Sequence, residues 1–110
     1  MIIGDEDSWD IEMVEGDYGI ALPIKIENKT LGLDDKFRIK IFKEVNKESI
    51  IVKEYSNTEN NIIEFMLTKE ESELLPVGKY VYDLDWFQEG AFLGNLLRKK
   101  KFEVKDKAGK

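Results

Sequence analysis

Neither cysteine nor histidine occurs in this sequence, and the two absences remove much of the usual protein chemistry. Without cysteine there is no disulfide framework and no thiolate zinc site, which fits synthesis in a reducing cytoplasm. Without histidine the commonest general base is missing, along with the usual partner of a catalytic serine and the usual zinc ligand. The serines, Ser8, Ser49, Ser56 and Ser72, therefore have no imidazole to activate them. Nor is there a Gly-rich phosphate loop, a nucleophile elbow or an HExxH helix. An enzyme is not expected, and no cofactor is implied.

Positive charge is also in the minority: 17 Lys and Arg stand against 23 Asp and Glu, a net charge of -6. That balance opposes the general attraction to phosphates, so no nucleic-acid partner is expected. The opening MIIGDEDSWD has no basic stretch and no apolar run for a signal peptide, and nothing elsewhere approaches the roughly 18 apolar residues of a membrane helix. Cytoplasmic synthesis and no membrane partner are the expectations.

What the chain does have is alternation. Its 110 residues suit one core, and its apolar residues lean toward the strand formers Ile, Val, Phe, Tyr and Trp. Residues 1–8 read as an acidic N-terminal arm, 9–104 as a single β-sandwich domain, and 105–110 as a charged C-terminal tail. Trp9, Ile11 and Met13 begin a first strand, and Glu15-Gly16-Asp17 supplies a turn. Ile20 to Ile26 form a second strand whose Pro23 demands an edge or a bulge. Phe37, Ile39 and Ile41 mark a third, with Phe42 breaking the alternation as at a bulge. Ile50 to Tyr55 and Ile63 to Leu67 follow as the fourth and fifth. Thr68 and Glu71 then fit a capping box for a short helical turn near residues 69–75, stopped by Pro76 and Gly78. The strand Gly78 to Trp86, a Phe87-Gln88-Glu89-Gly90 turn and a last strand over 91–104 complete about seven strands. The expected fold class is all-β, a sandwich or barrel.

Four features could carry a site. Asp83 and Asp85 lie two apart in GKYVYDLDW, so both point away from Tyr80, Tyr82, Leu84 and Trp86. They could hold a divalent cation only with a third group and a pocket, neither visible in the sequence, so a solvated outer face is the preferred reading, and replacing both with Asn is then expected to leave stability nearly unchanged. Asp5 and Asp7 begin like a calcium loop, which fails where Trp9 replaces an oxygen ligand and Asp10 the turn glycine. No metal is assigned; the four aspartates are its weak candidates. Arg98-Lys99-Lys100-Lys101 is the concentrated basic patch; alternation points its side chains both ways, as in an edge strand guarded by lysines. Trp9, Trp86 and Phe92 are expected in the core, and would be interface anchors if exposed.

The order of motifs carries a resemblance. Glu15-Gly16-Asp17, Ile20-Ala21-Leu22-Pro23-Ile24, a turn ending near Leu33, Phe37-Arg38-Ile39-Lys40-Ile41, Phe65-Met66-Leu67-Thr68-Lys69-Glu70-Glu71 and Leu75-Pro76-Val77-Gly78-Lys79-Tyr80 with Asp83 follow one another. Over residues 9 to 104 this resembles the immunoglobulin-like N-terminal domain of phage baseplate upper proteins and related tail proteins of phages of Gram-positive hosts. The resemblance implies an immunoglobulin-like antiparallel β-sandwich with a structural role in a tail, baseplate or prophage-derived particle. It implies other tail proteins as partners, with self-association allowed, and synthesis in the bacterial cytoplasm before assembly into a virion. It brings no catalytic residue; Gly16, Asp17, Gly78, Tyr80 and Trp86 are read as determining the fold. Two other functions fit the composition: a small acidic protein directed at a basic host partner, as inhibitor or adaptor, and a carbohydrate- or ion-binding β module.

Overall fold

A computed structural model describes residues 3–4, 9–19, 21–26, 31–32, 34–43 and 48–106. The described chain is an all-β sandwich of two unequal layers with one short helix. Eight strands are present: β1 (Ile3–Gly4), β2 (Ile11–Val14), β3 (Leu22–Lys25), β4 (Lys36–Phe42), β5 (Ser49–Ser56), β6 (Ile62–Phe65), β7 (Gly78–Gln88) and β8 (Ala91–Lys105), with α1 (Lys69–Glu73) between β6 and β7. Seven strands were expected; the eighth is Ile3–Gly4, which pairs with β2 inside the stretch read as an arm. Sequence pattern missed it because two residues carry no period. Among the described residues no helix is long and apolar enough to cross a membrane.

One layer is a six-stranded sheet in the order β1-β2-β8-β7-β4-β5; the other is the pair β3-β6. The expectation of a wholly antiparallel sandwich needs correction, since β2 runs parallel to β8, Ile11 facing Phe102 and Met13 facing Val104. The reason lies in the Gly16 turn. Gly16 takes φ +85, Asp17 N–H donates to Val14 O, and Val14 N–H donates to Asp17 Oδ2. That turn leads the chain out of the large sheet into the small one, so β2 and β3 do not form a hairpin. Among the described residues β3 has an open side in its two-stranded sheet, which accommodates Pro23.

The core lies between the layers. Register aligns Tyr80 with Phe102, Leu84 with Ile39, and Tyr82 with Ile41 and Ile51, all buried on one face of the large sheet. Ile24, Ile63, Phe65, Leu67 and Leu75 close it from the other side. Phe65 meets Phe102 edge-on at 6.2 Å, and Tyr82 meets the same ring at 6.3 Å, so one aromatic ties the layers together. The capping box forms as expected: Glu71 N–H donates to Thr68 Oγ1, and Thr68 N–H donates to the Glu71 carboxylate. Tyr80 O–H donates to Pro76 O at 2.6 Å, which fastens the start of β7 to the α1 corner.

Candidate interaction surface

The outer face of the large sheet is where the two aspartates of GKYVYDLDW sit. Register sets Glu54, Arg38, Asp85 and Asn95 in one row across β5, β4, β7 and β8. Asp85 is only 1% exposed, so the expectation that it is solvated is corrected. Lys40 Nζ stands 3.3 Å and Arg38 Nη2 3.5 Å from its Oδ2, while Asn95 Nδ2 donates to its Oδ1. The Arg38 guanidinium also lies 4.6 Å over the Phe87 ring, and Phe87 meets Phe92 edge-on at 5.5 Å. Long side chains from neighbouring strands thus cover a carboxylate that alternation alone would leave wet. A divalent cation there would have to displace two basic side chains. Asp83 Oδ1 accepts the Lys99 N–H at 2.7 Å. Asp5 and Asp7 lie outside the described residues, and among the described residues no three acidic groups gather as metal ligands do.

That Lys99 contact marks a second correction. Along β8 the partners of Tyr82, Leu84, Asp85, Trp86 and Phe87 are Lys100, Leu97, Asn95, Gly94 and Phe92, so three times β8 uses an extra residue. Each bulge resets which face the following residue meets, so simple alternation across Arg98 to Lys101 does not hold. Lys99 takes φ +49 at the first of them. Phe92, expected in the core, is instead 54% exposed beside exposed Leu93 at the far end of the hairpin.

At the same end the structure buries a group that sequence reasoning missed. Asp35 is 3% exposed, and its Oδ2 accepts Trp86 Nε1–H at 3.0 Å and a Gln88 Nε2–H at 3.2 Å. Asn57 N–H donates to Asp35 O, and Asn57 Nδ2 bridges Gly32 O and Asn61 Oδ1, each at 2.9 Å. These bonds join the loops before β4 and after β5 to β7. The available signal was Trp86 itself, because a buried indole N–H usually finds an acceptor. Trp86, read as core, is half-buried and packs against it.

On the inner face, Lys53 lies opposite Ile39 and turns toward the small sheet. Its Nζ donates to Met66 O and reaches Glu71 Oε1 at 2.8 Å. Burial alone would raise the Glu71 carboxyl; the Lys53 ammonium and the Thr68 N–H and hydroxyl outweigh it and hold the group below its ordinary value. Burial pushes the nearby Tyr55 phenol up to about 12.

Two shallow hollows border these groups. One of about 510 Å³ is lined by Lys36, Arg38, Glu54, Phe87 and Glu89, and one of about 480 Å³ by Lys43, Lys79, Tyr80, Val81 and Lys101. Both mix exposed charges with an aromatic edge and bring together no nucleophile with a base. The sheet edges are more distinctive. β2 pairs with β8 at Phe102–Lys105, and no described strand pairs with the far side of β5. No protein family, characterised protein or solved structure matches the chain.

Proposed function

We propose that this chain is a non-enzymatic structural and interaction module, an immunoglobulin-like sandwich that assembles with sister proteins in a phage or prophage-derived tail or baseplate. Connectivity supports the immunoglobulin-like part. A variable-type sandwich has a G-F-C sheet extended by C′, facing a sheet in which B and E are neighbours. Here β8-β7-β4-β5 and β3-β6 follow those orders in the same chain sequence. The bond from Tyr80 to Pro76 supports it too, being a tyrosine near the start of the F strand that ties back to the preceding corner.

The observation that carries the assembly role is the far edge of β5, eight residues of strand with no described neighbour on that side. Such an edge is a template for another chain. The particle is inferred from the motif order that resembles baseplate domains, with synthesis in the bacterial cytoplasm. Mass spectrometry of tail or phage-like particles purified after induction of the source strain tests it. Presence at a whole-number ratio to other tail proteins is expected. Abundant protein in the lysate but none in the particle would overturn the reading in favour of an acidic host-directed binder, whose complex should weaken steeply with salt.

A further inference from the structure

Two stretches of edge in the large sheet that no described strand covers, on β8 and on β5, are built differently. Along β8, residues 91–101 lie beyond the pairing with β2, and this stretch is bulged three times and carries exposed Lys99 and Lys101. Bulges and lysines are the devices by which proteins keep edges from pairing. β5 carries one register shift, at its Ser49–Ile51 end, and one lysine. Its pairing with β4 runs without a shift from Ser56 to Ile51, and it contains no Gly or Pro. Its one lysine, Lys53, is drawn inward onto Met66 O and Glu71. In the middle of this edge Val52 is 50% exposed.

We infer that β5 pairs antiparallel with β5 of a second copy about a two-fold axis at Val52, joining two six-stranded sheets into one. The inference deepens the assembly reading and rests on it. Symmetry limits the choices, because directly opposed residues must share a face and a two-fold interface is self-complementary. Centring the axis on Lys53 or Glu54 opposes each to its own copy. Centring it on Ile51 brings the shift between Ile51 and Ser49 into the middle of the pairing. At Val52 the opposed pairs within the regular stretch are Val52 with itself and Ile51 with Lys53. No like charges are directly opposed, and the aliphatic stem of Lys53 lies against Ile51. The two Lys53 ammoniums, one step apart diagonally, each already face Glu71 of their own chain.

The absence of cysteine makes the register directly readable. Opposed residues in an antiparallel pair stand about 4.5–5.5 Å apart between Cα atoms, within the span a disulfide bridges. Val52→Cys should therefore give a disulfide-linked dimer under mild oxidation. Glu54→Cys should not, because its two copies lie four residues apart along the strand, about 13 Å. Light scattering of the unmodified chain at about 100 µM should give twice the 12.8 kDa chain mass, and Val52→Lys should weaken the dimer at least tenfold with an unchanged circular dichroism spectrum. A monomer at that concentration, or equal cross-linking at 52 and 54, would overturn the inference. A monomeric chain found in particles would sink self-pairing and leave assembly standing. A cross-linked dimer absent from particles would do the reverse.

Discussion

Replacing Asp85 with Asn keeps the side-chain shape and removes the negative charge on which Lys40 and Arg38 converge. Loss of one partner from a fully buried ion pair costs about 3–5 kcal/mol, because the other charge is stranded. Here the side chains of Arg38 and Lys40 are 32% and 30% exposed, so both cations can turn toward water once the carboxylate is gone. The cost then reduces to the lost charge-assisted hydrogen bonds of a carboxylate that is itself 1% exposed, about 1.5–3 kcal/mol. For a domain of this size that corresponds to a fall in Tm of roughly 5–12 °C. Urea unfolding followed by circular dichroism measures it, with Asp83→Asn as the comparison. The amide oxygen introduced by that second substitution can still accept the Lys99 N–H, so the Asp83→Asn variant should stay within about 0.5 kcal/mol of the parent. Equal stabilities of the Asp85→Asn variant and the parent would refute the reasoning and return Asp85 to solvent.

Acid should expose the Lys53–Glu71 clip. The Glu71 carboxyl is held below its ordinary value of 4.5 in the fold, so its contribution is present above that pH and is lost as pH falls through the folded value. Glu71→Gln should flatten the stability profile below about pH 5, read from urea midpoints across an acid series. At the alkaline end the signs reverse. Burial raises the phenols of Tyr55, Tyr80 and Tyr82, so the neutral forms favour the fold below pH 10 and that contribution fades as pH climbs through the raised values. Tyrosinate absorbance from these three should therefore appear together with unfolding, and their ionisation near pH 10 in the folded protein would contradict the burial. Tyr80→Phe removes the bond to Pro76 O and should cost about 1 kcal/mol by urea unfolding, with no change in the circular dichroism spectrum.

Legibility in the sequence followed the range of the interaction. The Thr68–Glu71 box and the Gly16 turn were readable because their bonds close within three residues. The register break at Phe42 was readable because an apolar residue interrupts a local alternation. Asp85 and Asp83 look alike in GKYVYDLDW, yet one is sealed by Arg38 and Asn95 and the other pins a bulge in β8. Nothing within a few residues of either distinguishes them. Asp35 likewise sits in a polar connection, and its burial depends on Trp86, 51 residues away.

By itself, then, the sequence determined an all-β chain, the positions of most of its strands, its capped helical turn and the exclusion of histidine and cysteine chemistry, because period, capping and composition are local properties. Only the tertiary structure decided that β2 runs parallel to β8, that three bulges reset the faces of β8, and that no described strand pairs with the far side of β5. Those outcomes depend on which strands become neighbours and in what register. Each is a relation between distant residues that no window along the chain contains.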